Sequence, residues 1–380
     1  SLVGRLANGF VWTIWEPGVF AMFLLAGALW CMICPLSSAA RLAKRAIGIE
    51  RPPPRWVGNQ FLTAAIPMFG FLVILWVEAV FHMTEMPIGT GYLLLALILA
   101  SVVFAVLYKR EVWCRYVCPL GRLAVVLAPA ASITVAADRH LCASTCTTHD
   151  CYQGRDQIPG CSVFRHPMNT AEAHYCKLCG DCLESCPHES THLTLRPPGM
   201  GSVGLVDTGR YPSAFAFSLL LLAPLFLVAP TTGLLERPSI LGVLGIVAVL
   251  LGLLLGWRLP GFLGVLRENH SAAKRVAAAI AVLAWGPLMV TQFRNIPLLS
   301  DLRIRSTSSA AWLGSFDQGV SVLTLASISV VLLAAAISAA ILSAVRKASR
   351  EELQPIARPA WRGITLVWTT SVLVFVALAA

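Results

Sequence analysis

Charge is scarce in this sequence. Aspartate, glutamate, lysine and arginine make up 13% of its 380 residues, against 57% hydrophobic, and the mean hydropathy is +0.73. A soluble domain devotes about a quarter of its residues to charge, so that class is excluded and membrane residence is the starting point. Cysteine is absent from residue 214 onward. The same half has no acid or lysine deep within an apolar run, and such residues usually mark an ion path; a redox-driven ion pump is therefore disfavoured. Histidine is sparse, and only His82 approaches the core of an apolar run. The two facing axial ligands of an intramembrane haem are lacking. A cleavable signal is lacking as well. The first apolar run is long and is followed by basic residues instead of a small-residue cleavage site, so it reads as a true span. The sequence opens on Ser1 instead of Met, which leaves room for further chain on either side.

What the sequence does have is long apolar runs. A hydrocarbon core of about 30 Å needs about 20 such residues. Eight segments qualify: residues 10–30, 61–81, 92–108, 214–235, 240–257, 276–292, 320–345 and 364–379. If successive spans alternate, one side receives Arg41, Lys44, Arg45, Arg51, Arg55, Lys109, Arg110, Arg115, Arg122, Arg258, Arg267, Lys274, Arg275, Arg346, Lys347, Arg350, Arg358 and Arg362. The other receives only Arg237, Arg294, Arg303 and Arg305 in its short loops. The first side is then cytoplasmic. The net charge of +10 follows from this topology and does not point to nucleic acid.

The expected fold is an α-helical polytopic membrane protein of about eight transmembrane helices with a small cytoplasmic α+β insert. Residues 1–122 would hold helices one to three, 123–210 a ferredoxin-like domain and 211–380 helices four to eight. The expected location is the bacterial inner membrane.

Of the twelve cysteines, ten lie between residues 108 and 211, and the other two follow the first span. All are expected on the cytoplasmic side, where thiols stay reduced and read as metal or cluster ligands. Cys176, Cys179, Cys182 and Cys186, followed by Pro187, form the C-x2-C-x2-C-x3-C-P run of bacterial ferredoxins. Zinc knuckles come as two separated C-x2-C pairs, so this spacing favours a [4Fe-4S] cluster. In that run the fourth cysteine serves a neighbouring cluster, which implies a second set. Cys142, Cys146, Cys151 and Cys161 supply it, with Cys186 joining the first three and Cys161 completing the set of Cys176, Cys179 and Cys182. The loop over 147–169 adds His149 and His166 as alternative ligands. Short strands are expected at 133–135 and 193–195, on either side of the pair.

Cys31-Met-Ile-Cys34-Pro35 and Cys114-Arg-Tyr-Val-Cys118-Pro119 each follow a span. Together Cys31, Cys34, Cys114 and Cys118 offer the four thiolates of a third [4Fe-4S] cluster at the membrane surface. Separate buried thiols or a different metal are the competing readings.

The segments WCMICPLSSAARL, WCRYVCPLGRL and CKLCGDCLESCP resemble the membrane polyferredoxins of the NapH, NosR and CcoG type, over roughly the first 200 residues. The resemblance implies a relay between the quinone pool, or a cytoplasmic donor, and a redox partner at the membrane. It matches Cys31, Cys34, Cys114 and Cys118 to the family's paired cysteines, and Cys176, Cys179, Cys182 and Cys186 to its ferredoxin ligands. Two departures stand out: Cys31 and Cys34 are separated by two residues where the family usually has three, and the first ferredoxin motif is expanded around Cys151 and Cys161.

Glu16 and Glu78, with His82 and Glu85 just beyond, suggest a proton or quinol site, against the simpler reading of acids at a wetted interface. Trp12, Trp15, Trp257 and Trp312 read as an aromatic belt. The expected mechanism is one-electron hopping without substrate chemistry of the protein's own, with Arg115 and Arg122 favouring reduced clusters. Partners would be the lipid bilayer and redox subunits or a soluble carrier, with quinone as a candidate cofactor. An iron-sulfur redox sensor or a metal-reducing assembly factor is the alternative.

Overall fold

The computed structural model describes residues 2–49, 51–127, 131–155, 158–163, 165–168, 176–195, 211–230, 232–262, 270–294, 322–351 and 358–379. Arg267, Arg303, Arg305, Trp312 and the start of the run at 320 lie outside them.

The first apolar run is helical but not one helix. Helix α1 (Leu2–Phe10) passes through a π-turn (Val11–Trp15) into α2 (Glu16–Ala26). Pro17, which has no N–H to return along the helix, sits at that junction, where a wider turn is the usual accommodation. The chain breaks again at Gly27, whose φ of 58° suits a residue without Cβ. A 3-10 turn (Gly27–Leu29) then leads into α3 (Trp30–Ile33). The apolar run expected over 10–30 is thus helical up to Ala26 with a π-turn inside it, and breaks at Gly27.

Helix α4 (Pro35–Ile47) follows, then α5 (Gln60–Val80) and α6 (Pro87–Leu107). The Asn59 side chain accepts from the Phe61 and Leu62 N–H groups and caps α5. A π-turn (Trp113–Val117) and α7 (Pro119–Leu127) lead into the insert. Within it lie α8 to α10 (Arg139–Ser144, Asp150–Gln153, Asp181–Glu184), and after it come α11 (Tyr211–Val228), α12 (Pro238–Phe262), α13 (His270–Arg294), α14 (Val322–Glu351) and α15 (Arg358–Ala379).

Within the described residues, each of the eight apolar runs is mainly helical. Among the described residues, α5, α6 and residues 238–258 of α12 are long and apolar enough to cross a membrane, by length and composition. Leu95, Leu99 and Val103 of α6 and Val243, Val247 and Leu254 of α12 are exposed, as helices solvated by lipid require. The protein is a helical membrane protein. One core joins both halves: Phe23, Met68 and Leu72 pack in the same cluster as Leu123, Phe215, Leu219 and Leu283.

The insert is closed by β1 (Ile133–Ala137) and β4 (Thr191–Leu195), paired antiparallel with Ile133 opposite Leu195 and Ala137 opposite Thr191. Both stretches expected as strands are in this ladder. A smaller pair, β2 (Gly154–Arg155) and β3 (Ile158–Pro159), lies within it. The entrance to the insert is tied to the end of α2 by Ser132 N–H donating to Leu25 O at 2.9 Å.

Candidate functional site

The two Cys-Pro motifs fold alike. Cys34 (φ −58°, ψ 129°) and Cys118 (φ −62°, ψ 121°) are both extended, as a residue before proline must be. Pro35 and Pro119 each start the next helix, where a missing N–H costs nothing. The unequal spacing of the pairs has a structural counterpart. The extra residue between Cys114 and Cys118 is taken up by the π-turn, closed by Cys118 N–H to Trp113 O at 2.9 Å. Gly121 is required beside it: a Cβ there would lie 2.3 Å from Cys114 O. The Gly121 N–H points at the Cys118 sulfur, 3.4 Å away.

The turns bring all four cysteines together. Cys114 lies within electrostatic reach of Cys31, Cys34 and Cys118. They are not level with the ends of the long helices. Ser101 Oγ donates to Leu36 O at 3.1 Å, well before the end of α6. Gly70, in the middle of α5, faces Pro119, whose Cγ would be 3.1 Å from an added Cβ. Both Cys-Pro turns therefore pack against the sides of the long helices.

The insert builds two further sets. Cys142, Cys146, Cys151 and Cys186 line one cavity with His166 and His188. Cys161, Cys176, Cys179 and Cys182 line a second with Arg165 and Lys177. The loop of the second set is wound tightly by left-handed residues, Leu178 (φ 54°) and Gly180 (φ 91°), the kind of backbone that turns N–H groups toward an anion. Arg165 N–H donates to Cys161 Sγ at 3.3 Å, and Cys142 Sγ lies 3.1 Å from Ser190 Oγ. His149 Nδ1 is 3.9 Å from Cys146 Sγ and its ring packs edge-on against His166.

The donor chemistry fits iron-sulfur clusters. The thiols stand in sets of four around two cavities, and the spacing of Cys176, Cys179, Cys182 and Cys186 suits a polynuclear group better than tetrahedral zinc. As bare side chains they are poorly placed for charge. Desolvation first, then the neighbouring thiols, pushes Cys151 up to about 12. The same causes push Cys182 up to about 12. Thiolates here need bound positive charge.

Residues other than cysteine join the sets, of which Lys177, Glu111 and Ser37 were not singled out from sequence. Lys177, 3% exposed, pairs with Glu111, which precedes the second Cys-Pro motif. Its ammonium also donates to Ser37 Oγ at 3.3 Å, and Ser37 in turn hydrogen-bonds the Cys114 side chain. Arg110 donates to Cys161 O and Tyr152 O, both at 3.2 Å, and lies over the Tyr152 ring. Arg115 donates to Val163 O. Arg122 is buried near Tyr116.

On the far part of the bundle, Glu16 lies within electrostatic reach of Glu78, and its Oε2 is buried without a hydrogen-bond partner. His82 is exposed in the turn after α5, outside any helical core. Trp12 is not part of an aromatic belt. It is 5% exposed and donates to Asn8 Oδ1 and Thr90 Oγ1, since an indole N–H in a core seeks a partner.

Residues 8–52 and 90–130 match the family described as a 4Fe-4S binding domain, Fer4_5. The ferredoxin-type protein NapH of Escherichia coli (strain K12) is 30% identical over 198 residues, covering 47% of this chain and 66% of NapH. The chain thus spans just under two thirds of that relative's length. No solved structure matches it. The matched stretches contain both Cys-Pro turns, and the ferredoxin run follows them on the same scaffold, so the chain is similar to the NapH-type membrane polyferredoxins and carries a 4Fe-4S binding domain.

Proposed function

We propose that the chain relays single electrons at the bacterial inner membrane, between a quinone pool or a cytoplasmic donor and a redox partner complex. All eight apolar helices span the membrane in this reading, with the basic loops and the insert in the cytoplasm. Cys142, Cys146, Cys151 and Cys186 hold one [4Fe-4S] cluster, Cys161, Cys176, Cys179 and Cys182 a second, and Cys31, Cys34, Cys114 and Cys118 a third. When bound, each cluster accepts and releases one electron without a bond being made or broken.

The observation that carries the reading is the continuous contact between two of these sets. From Cys114 it runs through the Ser37 hydroxyl to Lys177, the residue next to Cys176. The protein's part is to hold the sets at fixed spacing and to bias their charge. The N–H groups of Gly121 and Arg165 aim at sulfur, and such bonds favour the reduced, more negative state. Glu16 and Glu78 support quinol as donor, because its oxidation releases protons as well as electrons.

Iron and sulfide content with EPR of the anaerobically reduced protein tests this, comparing wild type with Cys114→Ser. About twelve irons per chain, falling by about four in the variant, is expected for three tetranuclear clusters. About eight irons, unchanged in the variant, would confine the clusters to the insert.

A further inference from the structure

We infer that the Lys177–Glu111 ion pair sets the relative electron affinity of the membrane set (Cys31, Cys34, Cys114, Cys118) and the adjoining insert set (Cys161, Cys176, Cys179, Cys182). This rests on the reading above that both sets hold clusters, and assigns the control of transfer between them to two residues that are not ligands. Lys177 lies between the sets in a literal sense. Its backbone follows Cys176, its side chain lines the cavity of the insert set, and its ammonium touches Ser37, which touches Cys114. It also lies within electrostatic reach of Cys31, Cys34 and Cys179. Its charge therefore acts on sulfurs of both sets at once.

Burial makes that charge count. The lysine is 3% exposed and the glutamate 10%, so water screens neither, and charges act strongly in such surroundings. A cluster gains one negative charge on reduction. Lys177 stabilises that state, and Glu111 opposes it from the other end of the same pair. Arg41, the other cation within reach of Lys177, lies on an exposed side of α4, where it bonds Met32 O and Ser38 Oγ, and is screened by comparison. The pair is also the mechanical link between the loop of the ferredoxin run and the segment leading to Cys114, so charge control and docking are served by one contact.

The two roles separate by sign. Removing the cation alone lowers the reduction potentials of both clusters. Removing the anion alone raises them. Neutralising both together leaves them near the wild-type values. A contact that is merely structural would disturb the site in the same direction whichever partner is lost.

EPR-monitored redox titration of the full-length, anaerobically purified protein decides this, with Lys177→Met, Glu111→Gln and the double variant measured beside wild type. Opposite shifts in the single variants, largely cancelled in the double, are the expected result. Shifts of the same sign, no shift, or loss of iron in Lys177→Met that the double variant does not restore would overturn the inference. The wild-type iron count keeps the two readings apart. Eight irons would refute the membrane cluster, while the shifts in the insert cluster next to Cys176 would still test the ion pair by their sign.

Discussion

Cys186 shares a cavity with Cys142, at the opposite end of the insert, and not with Cys182, its near neighbour in the ferredoxin run. The strand ladder makes this arrangement possible. By pairing Ala137 with Thr191 it brings the first residues of the insert alongside its last, and Ser190 Oγ then reaches both Asp138 O and the Cys142 sulfur.

Cys186→Ser should consequently remove the same EPR signal as Cys142→Ser and leave the signal lost in Cys182→Ser. Each variant should cost about four irons. If Cys186→Ser and Cys182→Ser instead erase one common signal, the two cavities do not divide the ligands as drawn.

Gly121→Ala should empty the membrane set while sparing the insert. The new methyl would collide with Cys114 O at 2.3 Å, and relief by backbone movement costs about 1–3 kcal/mol at a packed site. Loss of about four irons with both insert signals intact is the expected outcome. Full iron content in this variant would show that the turn has slack.

Arg110→Ala should loosen the insert without emptying it. The side chain makes two hydrogen bonds to carbonyl oxygens and lies over the Tyr152 ring, together worth about 1–3 kcal/mol for a partly exposed group. Amide exchange around Tyr152 and Cys161 should quicken at unchanged iron stoichiometry. Exchange at the wild-type rate would show that the docking rests on Glu111 and Arg115 alone.

Asn8→Ala should lower the temperature of inactivation and leave the iron count unchanged. Asn8 Nδ2 donates to Met83 O and Thr84 O, and its Oδ1 accepts from Trp12. Truncation strands those buried groups at about 1–3 kcal/mol. A variant as heat-resistant as wild type would mean that Thr90, which also bonds Met83 O, holds this corner without it.

What could be read from the sequence was whatever local spacing encodes. The run from Cys176 to Cys186 announces its chemistry because one tight loop presents its thiols. The apolar runs announce helices because lipid demands unbroken backbone hydrogen bonding. Contacts between segments that are remote in sequence were not legible. Lys177 stands between two ligands of the ferredoxin run and Glu111 far before it, and no local spacing shows that folding places them together. Trp12 was misjudged for the same reason, since nothing near it in sequence shows that Asn8 and Thr90 await its N–H. The break at Gly27 was hidden inside an apolar run, where hydropathy is blind to a backbone angle.

Gly70 lies at the midpoint of α5 and faces Pro119, so the thiols beside that proline sit about ten residues, or ~15 Å, from either end of the helix. Tunnelling through protein weakens exponentially with distance. In the relay proposed above, with α5 crossing the membrane, an electron held there would have about half of the ~30 Å insulating layer left to cross. In that relay the Cys-Pro turns would do by geometry what a redox group on the far side would otherwise have to do.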